Sequence, residues 1–204
     1  MGVDVSVVIP TVTGREQYLA RCIASYEANT TGTVEILTYK DLPGVAYGWQ
    51  RGAEASRGRF IHMTNDDCEA MPGWDTAPTA MAAGGIQPAP RLFNADGRPW
   101  RHYGDHGTPM RISSCPFLAR EWWQHVTPLP PGMHYYTDDW ITMRLGAARI
   151  GTQLCHGYDL IHTWAQEHRG AGWTEPERMR VDREYMVLAS NIIIRGEEAL
   201  QSRA

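Results

Sequence analysis

The chain has 204 residues, of which 43% are hydrophobic, with four cysteines and a net charge of −4. That length supports one well-buried domain, no apolar run reaches the roughly 18–20 residues that span a bilayer, and the overall charge does not advertise a nucleic-acid partner. The first residues run straight into a strand-like segment without the basic start of a secretory leader, so a soluble, cytoplasmic protein is expected.

Val3–Pro10 is apolar, β-branched and closed by a proline, which predicts a buried first strand. Thr13 and Glu16 have capping-box spacing, and Tyr18, Leu19, Cys22, Ile23 and Tyr26 then fall on one helical face. Val34–Tyr39 reads as a second strand, Val45–Ser56 as a second helix, and Arg59–Met63, after Gly58, as a third strand. The order β-α-β-α-β implies a parallel sheet with right-handed crossovers. The third strand ends in Asn65-Asp66-Asp67. The C-terminal ends of strands are where open α/β sheets place ligand-binding groups. Two carboxylates there repel one another unless a cation sits between them, which points to a metal and, through it, a phosphate-bearing ligand.

Further along, Pro72–Met81 reads as a short helix opened by its proline and closed by Gly84-Gly85. Ile86–Phe93 and Trp100–Tyr103 flank the turn residues Asn94-Ala95-Asp96-Gly97, which predicts a hairpin. Arg111–Leu118 reads as a strand, Arg120–His125 as a short helix and Thr127–Gly132 as a rigid loop. Thr137 is placed to cap a helix from Asp138 to about Ile150. Thr152–His156 reads as a strand, His162–Gly172 has no clear periodicity, and Glu175–Ile194 reads as a long C-terminal helix. Without repeats or a low-complexity linker, the chain reads as a single domain. The cysteines (Cys22, Cys68, Cys115, Cys155) include no CxxC pair, so reduced core thiols are expected rather than a zinc cage. Lys40 is the only lysine. Arginines cluster at Arg91, Arg98, Arg101 and Arg111 and again at Arg178, Arg180 and Arg183, either as a polyanion-binding face or as solvated surface.

Taken in order, several of these segments resemble the family 2 glycosyltransferases of the GT-A fold. Val5–Thr11 resembles the family's opening strand, Tyr18-Leu19 through Ser25-Tyr26 the helix after it, and Gly44, Ala46, Gly48, Gly52, Ala55 and Gly58 the small-residue helix before the metal strand. Asn65-Asp66-Asp67 resembles the DXD-type motif, and Ser114–Arg120 the strand and turn beneath the acceptor site. Thr137-Asp138-Asp139-Trp140 resembles the acidic pair at a helix start, and His162 stands where many members carry a late metal-ligating histidine. One departure is clear: only Lys40–Pro43 separates Tyr39 from Gly44, where the family usually has an acidic, serine-rich loop that helps hold the nucleotide base.

The resemblance implies an α/β nucleotide-diphospho-sugar transferase, Rossmann-like, with a mixed, mainly parallel sheet flanked by helices. It implies a nucleotide-sugar-binding half over 1–84, an acceptor half over 85–174 and a C-terminal helix over 175–204. Asp67 would ligate a divalent cation, Mn2+ or Mg2+, with His162 (or His168) completing the site. Asp66 would lie nearer the donor ribose or sugar, beside Asn65. Pro10, Thr11, Arg15 and Asp41 would face the nucleotide, Arg15 reaching a phosphate and Asp41 the base or ribose. The donor would be a nucleotide-sugar, most simply a UDP-sugar. Asp139 would be the general base of an inverting transfer and Asp138 would orient the acceptor hydroxyl. Trp140 and Trp164 would line the site. The acceptor would be a glycan or a hydroxylated base in DNA, since compact transferases of this kind occur in bacteriophages.

Plainer readings stand beside these. The Asp66–Asp67 pair suits a solvated loop, and Asp138–Asp139 suits the positive end of a helix dipole, which would lower their pKa values. Two other functions share such a sheet: a catalytically inactive sugar- or nucleic-acid-binding module, and a nucleotidyltransferase. The latter normally carries a glycine-rich phosphate loop, and Thr11–Arg15 is poor in glycine.

Overall fold

The computed structural model describes residues 2–100, 104–163 and 180–188. In chain order the elements are β1 (Val5–Thr11), α1 (Glu16–Asn29), β2 (Val34–Lys40), α2 (Val45–Ala55), β3 (Phe60–Met63) and β4 (Cys68–Ala70). Then follow α3 (Thr76–Ala83), β5 (Gln87–Phe93), β6 (Phe117–Ala119), a 3-10 turn at Arg120–Trp122, α4 (Trp123–Val126), α5 (Thr137–Ala147) and β7 (Thr152–His162). Residues 180–188 are helical. One sheet has the order β2-β1-β3-β6 and a second the order β4-β7-β5. β1 runs parallel to β2 and β3, and β6 is antiparallel to β3. β7 is antiparallel to β4 and parallel to β5. The chain is therefore an α/β protein with mixed, mainly parallel sheets, as the resemblance implies. No helix among the described residues is long and apolar enough to cross a membrane.

β1 is covered on both faces, with Val7, Val8 and Ile9 fully buried, which explains the three consecutive apolar residues at its centre. Each such side chain contributes about 1.5–3 kcal/mol by leaving water. The glycines of α2 set how closely that helix lies on the strand. A Cβ at Gly52 would stand 2.0 Å from Val8 Cγ1, and one at Gly48 would stand 2.7 Å from Pro10 Cβ. Both glycines therefore serve helix–strand packing.

Several elements differ from the sequence reading. α1 begins at Glu16, with Arg15 as its N-cap and no side-chain cap. Thr13 does not cap it because Asp41 captures both its amide and its hydroxyl, each at 2.7 Å. Likewise α5 begins at Thr137 after Tyr136 in a left-handed conformation. Thr137 Oγ1 is buried without a hydrogen-bond partner among the described residues instead of capping. Pro72 does not open α3, which starts four residues later. The Asp75 carboxylate before it holds Thr31 and Gly32 in the α1–β2 connection. β4 was not expected, and it forms because β7 runs on past Gly157 to His162 and offers it a partner. β6 keeps only the last part of the expected Arg111–Leu118 strand. The hairpin survives as β5, the 94–97 turn and a bridge between Phe93 and Pro99. Most of the predicted C-terminal helix lies outside the described residues.

The two sheets meet at His62. This β3 residue is fully buried, with Nε2 2.7 Å from the Tyr26 hydroxyl of α1 and Nδ1 2.9 Å from the Tyr158 hydroxyl of β7. The Tyr158 hydroxyl donates in turn to the Cys115 carbonyl at 2.5 Å. Trp74 and Phe117 pack around the imidazole, with ring centroids 5.1 and 6.0 Å away. Burial pushes the His62 pKa down from 6.5 to about 3, so the ring stays neutral. The unfolded chain protonates it below pH 6.5 and the folded chain does not, so its contribution is complete above that pH and is lost as pH falls toward 3. In urea titrations across that range, the wild-type protein is expected to lose up to about 1.4 kcal/mol more per pH unit than His62→Gln. Parallel slopes for the two proteins would contradict this.

Candidate active site

The ends of β1 and β3 and the start of α1 converge on Asp66 and Asp67. β1 delivers Thr11, whose hydroxyl donates to Asp66 Oδ2 at 2.7 Å. The first turn of α1 aims Arg15 back at the same carboxylate. Its Nε lies 3.0 and 2.9 Å from the two Asp66 oxygens, and its Nη2 lies 2.7 Å from Asp66 Oδ1 and 3.1 Å from Asp67 Oδ2. The guanidinium also sits 4.7 Å from the centroid of the Tyr18 ring. The Arg15 side chain is 13% exposed and those of both aspartates 6%. Burial opposes the charge on Arg15, but the hydrogen bonds and charges of Asp66 and then Asp67 outweigh it and raise its pKa. Part of the positive charge needed beside the acidic pair is therefore supplied by this arginine. Nε and Nη2 of Arg15, expected near a phosphate, are both directed at the two carboxylates in this structure.

One guanidinium against two carboxylates leaves a net negative charge, and it falls on the far side of Asp67. Asp67 Oδ1 lies 3.7 Å from His162 Nε2 and 3.9 Å from Cys68 Sγ. The Asp67 carbonyl accepts from both the amide and the hydroxyl of Thr163, at 3.0 and 3.1 Å, which pins the loop to the end of β7. Trp100 stacks on the His162 ring with centroids 4.6 Å apart. Burial lowers the His162 pKa, with Asp67 opposing the shift, so the imidazole is neutral and able to act as a ligand. The ligand atoms of Asp67, Cys68 and His162 lie within 4.8 Å of one another, and all three residues are buried. Asn65 Oδ1 beside them is buried without a hydrogen-bond partner among the described residues. Oxygen, nitrogen and sulfur donors around residual negative charge fit a divalent ion. Asp66, saturated by Thr11 and Arg15, is not part of that set.

The other expected residues take varied positions. Pro10 packs against Gly48 of α2. Asp41 is exposed, and its two oxygens are engaged by Thr13, whose hydroxyl hydrogen bond lowers its pKa. This binds the shortened loop to the β1–α1 turn. Asp138 and Asp139 open α5, where the dipole was expected to lower both pKa values. Burial instead pushes the Asp138 carboxyl up to about 7, with the neighbouring Asp139 charge adding to the shift. Trp140 donates its indole N–H to the Val126 carbonyl at 3.2 Å and lies tilted against Tyr185. Trp164 and His168 lie outside the described residues. His156 is at mid-strand and donates its amide to His106 Nδ1. The central arginine cluster is not a uniform cationic face. Arg91 makes a two-point contact with Asp159, Arg98 pairs with Asp96 at 3.6 Å, and Arg101 lies outside the described residues. Cys68 and Trp100 were not anticipated as site residues. The adjacency of Cys68 to Asp67 was visible, but its nearness to His162 comes only from the β4–β7 ladder.

No protein-family profile matches the chain, and no curated protein matches it significantly. Solved structures do. GalNAc-T7, crystallised with UDP, GalNAc and Mn2+, superposes with a TM-score of 0.63 at 13% identity, over 80% of this chain and 44% of that one. TarS of S. aureus gives a TM-score of 0.61 at 11% identity, over 79% of this chain and 37% of that one. A TarS fragment spanning residues 1–349 gives 0.58 at 11% identity over 79% of this chain and 60% of that one. These are glycosyltransferases of the GT-A fold, and the chain shares that fold. It spans less than two thirds of the length of each.

Replacing Arg15 by alanine would leave two buried carboxylates facing one another without a positive charge. Loss of one partner of a buried pair costs about 3–5 kcal/mol, and that loss is expected in denaturant titrations of Arg15→Ala. A divalent ion that binds the folded state would recover part of it, so Mn2+ or Zn2+ is expected to raise the melting temperature of the variant more than that of the wild type. Equal shifts in the two proteins would show that Arg15 does not stand in for a cation.

Proposed function

We propose that this chain is a metal-dependent glycosyltransferase that moves a sugar from a nucleotide-sugar to an acceptor hydroxyl. The observation that carries this reading is the placement, within the GT-A fold, of Asp67 against His162 at the strand ends where such a fold binds its donor. The neighbour crystallised with UDP and Mn2+ supports a uridine nucleotide and a divalent ion as the first ligands to test.

Asp67 and His162 would hold the ion. When bound, it would neutralise the charge that develops on the departing nucleoside diphosphate. Thr11 and Arg15 fix the Asp66 carboxylate, and Asp66 and Asn65 would then face the donor ribose or sugar. Arg15 adds a positive charge next to Asp67. Asp139 would accept the proton of the acceptor hydroxyl, in one displacement with inversion at the anomeric carbon, and Asp138 would position that hydroxyl. Pro10 and Asp41 border the end proposed for the nucleotide, and Trp140 borders the acidic pair. Residues 1–84 would form the donor half and 85–174 the acceptor half. The acceptor would be a glycan or a hydroxylated base in DNA; the pairing of Arg91 and Arg98 with carboxylates favours the glycan.

The test is release of nucleoside diphosphate from a panel of UDP-, GDP- and dTDP-sugars by slow hydrolysis, with and without Mn2+. Metal-dependent release from one donor is expected, with Asp67→Ala losing about 10²–10³-fold. Asp139→Asn is expected to lose about 10²–10⁴-fold while still binding donor by calorimetry. No release from any donor, together with no donor binding, would favour an inactive binding module. The pH profile gives a second check. Asp138 carries its proton up to about pH 7, so the rate is expected to rise through that pH as the acidic pair becomes fully ionised. In Asp138→Asn the rise should move toward the ordinary carboxylate range, and an unmoved limb would remove the pair from the chemistry.

A further inference from the structure

Cys68 follows Asp67 in sequence and stands directly opposite His162 in the β4–β7 ladder. Residues directly opposed across antiparallel strands project from the same face, with Cβ atoms about 4.5–5.5 Å apart. Cys68 is fully buried, and its Sγ lies 3.9 Å from Asp67 Oδ1. We propose that Cys68, as a thiolate, is the third protein ligand of the ion held by Asp67 and His162, making this a site for a thiophilic divalent ion such as Zn2+ or Co2+ rather than Mg2+. The proposal rests on the reading of Asp67 and His162 as ligands.

The spacing of the donor atoms carries it. In a tetrahedral site with bonds of about 2.0 Å to oxygen and nitrogen and 2.3 Å to sulfur, donors stand roughly 3.3–3.6 Å apart. The separations are 3.7 Å from Asp67 Oδ1 to His162 Nε2 and 3.9 Å from Asp67 Oδ1 to Cys68 Sγ, and the whole set falls within 4.8 Å. A contraction of a few tenths of an ångström would bring these two edges to tetrahedral spacing. One carboxylate, one imidazole and one thiolate suit zinc or cobalt, whereas magnesium prefers oxygen donors alone. As the metal–sulfur bond forms, the thiol proton leaves to solvent. Three protein ligands leave a fourth position for water or a donor phosphate oxygen, as in catalytic rather than structural sites. Cys115 lies behind, its Sγ 3.7 Å from that of Cys68, and is the control for which thiol binds.

The experiment is titration of the metal-free, full-length protein with Co2+ in the absence of any sugar donor, read by absorption. Wild type is expected to show a thiolate-to-cobalt charge-transfer band together with the visible bands of a four-coordinate ion. Cys115→Ser and Cys22→Ser should keep the charge-transfer band and Cys68→Ser should lose it. In Cys68→Ser, Co2+ affinity should fall by more than the roughly 10–100-fold that losing an outer-shell partner costs. X-ray absorption on the zinc-loaded wild type, which needs no variant to fold, is expected to find one sulfur at about 2.3 Å. A cobalt spectrum without the charge-transfer band would overturn the thiolate ligand and leave Asp67 and His162 standing. A band lost in Cys115→Ser but kept in Cys68→Ser, or no cobalt binding at all, would also overturn it. The glycosyltransferase reading is decided separately by release of nucleoside diphosphate.

Discussion

Asp66 and Asp67 are consecutive carboxylates, both buried, and the architecture around them is arranged to tolerate that. Placing two negative charges out of water at neighbouring residues is costly unless donors and positive charge surround them. β1 contributes a hydroxyl through Thr11, and α1 contributes a guanidinium through Arg15. β7 contributes His162, and Thr163 just after it holds the Asp67 backbone carbonyl through its amide and hydroxyl. These groups reach the pair from widely separated parts of the chain, so the cluster couples the parallel sheet to the second sheet. The two acids are thereby given different work. Asp66 is held by Thr11 and Arg15, while Asp67 turns one oxygen toward ligand-capable side chains.

That division depends on strand order. In the first sheet β1 is central, so the ends of β1 and β3 lie side by side and place Thr11 next to Asp66. In the second sheet β7 is central, which brings its last residue across from Cys68. The small residues of α2 contribute at a distance. With no Cβ at Gly48 and Gly52 the helix lies against β1, and Trp49 on the same helix donates its indole N–H to the Thr64 carbonyl at 3.0 Å. The chain entering the acidic pair is held from that side as well.

Much of the parallel core was legible in the sequence, because buried parallel strands are continuous apolar runs and the helices between them carry a clear face. Asp66, Asp67 and His162 were legible as residues with chemistry. What they touch was not. The Arg15 contact depends on where α1 starts, and Asp41 moved that start by taking Thr13 away from the capping position. β4 is three residues long, too short to show a period, and it exists only as a partner to β7. The sequence reading ends this strand at His156, six residues short of the position where His162 opposes Cys68. The raised carboxyl at Asp138 was missed for a related reason. A helix dipole can be inferred from sequence, whereas the desolvation that outweighs it is a property of the packed structure.

The buried link from Tyr26 through His62 to Tyr158 also bears on how ligands come and go. It bolts a helix and both sheets together with hydrogen bonds at 2.7 and 2.9 Å in a site sealed by Trp74 and Phe117. Parting the two sheets like a clamshell would strand three buried polar side chains, each at a cost of about 1–3 kcal/mol. Hinged closure of one half on the other is therefore an expensive way to admit a substrate. The link favours a body whose two sheets stay together, so that a ligand reaches the strand ends without their parting.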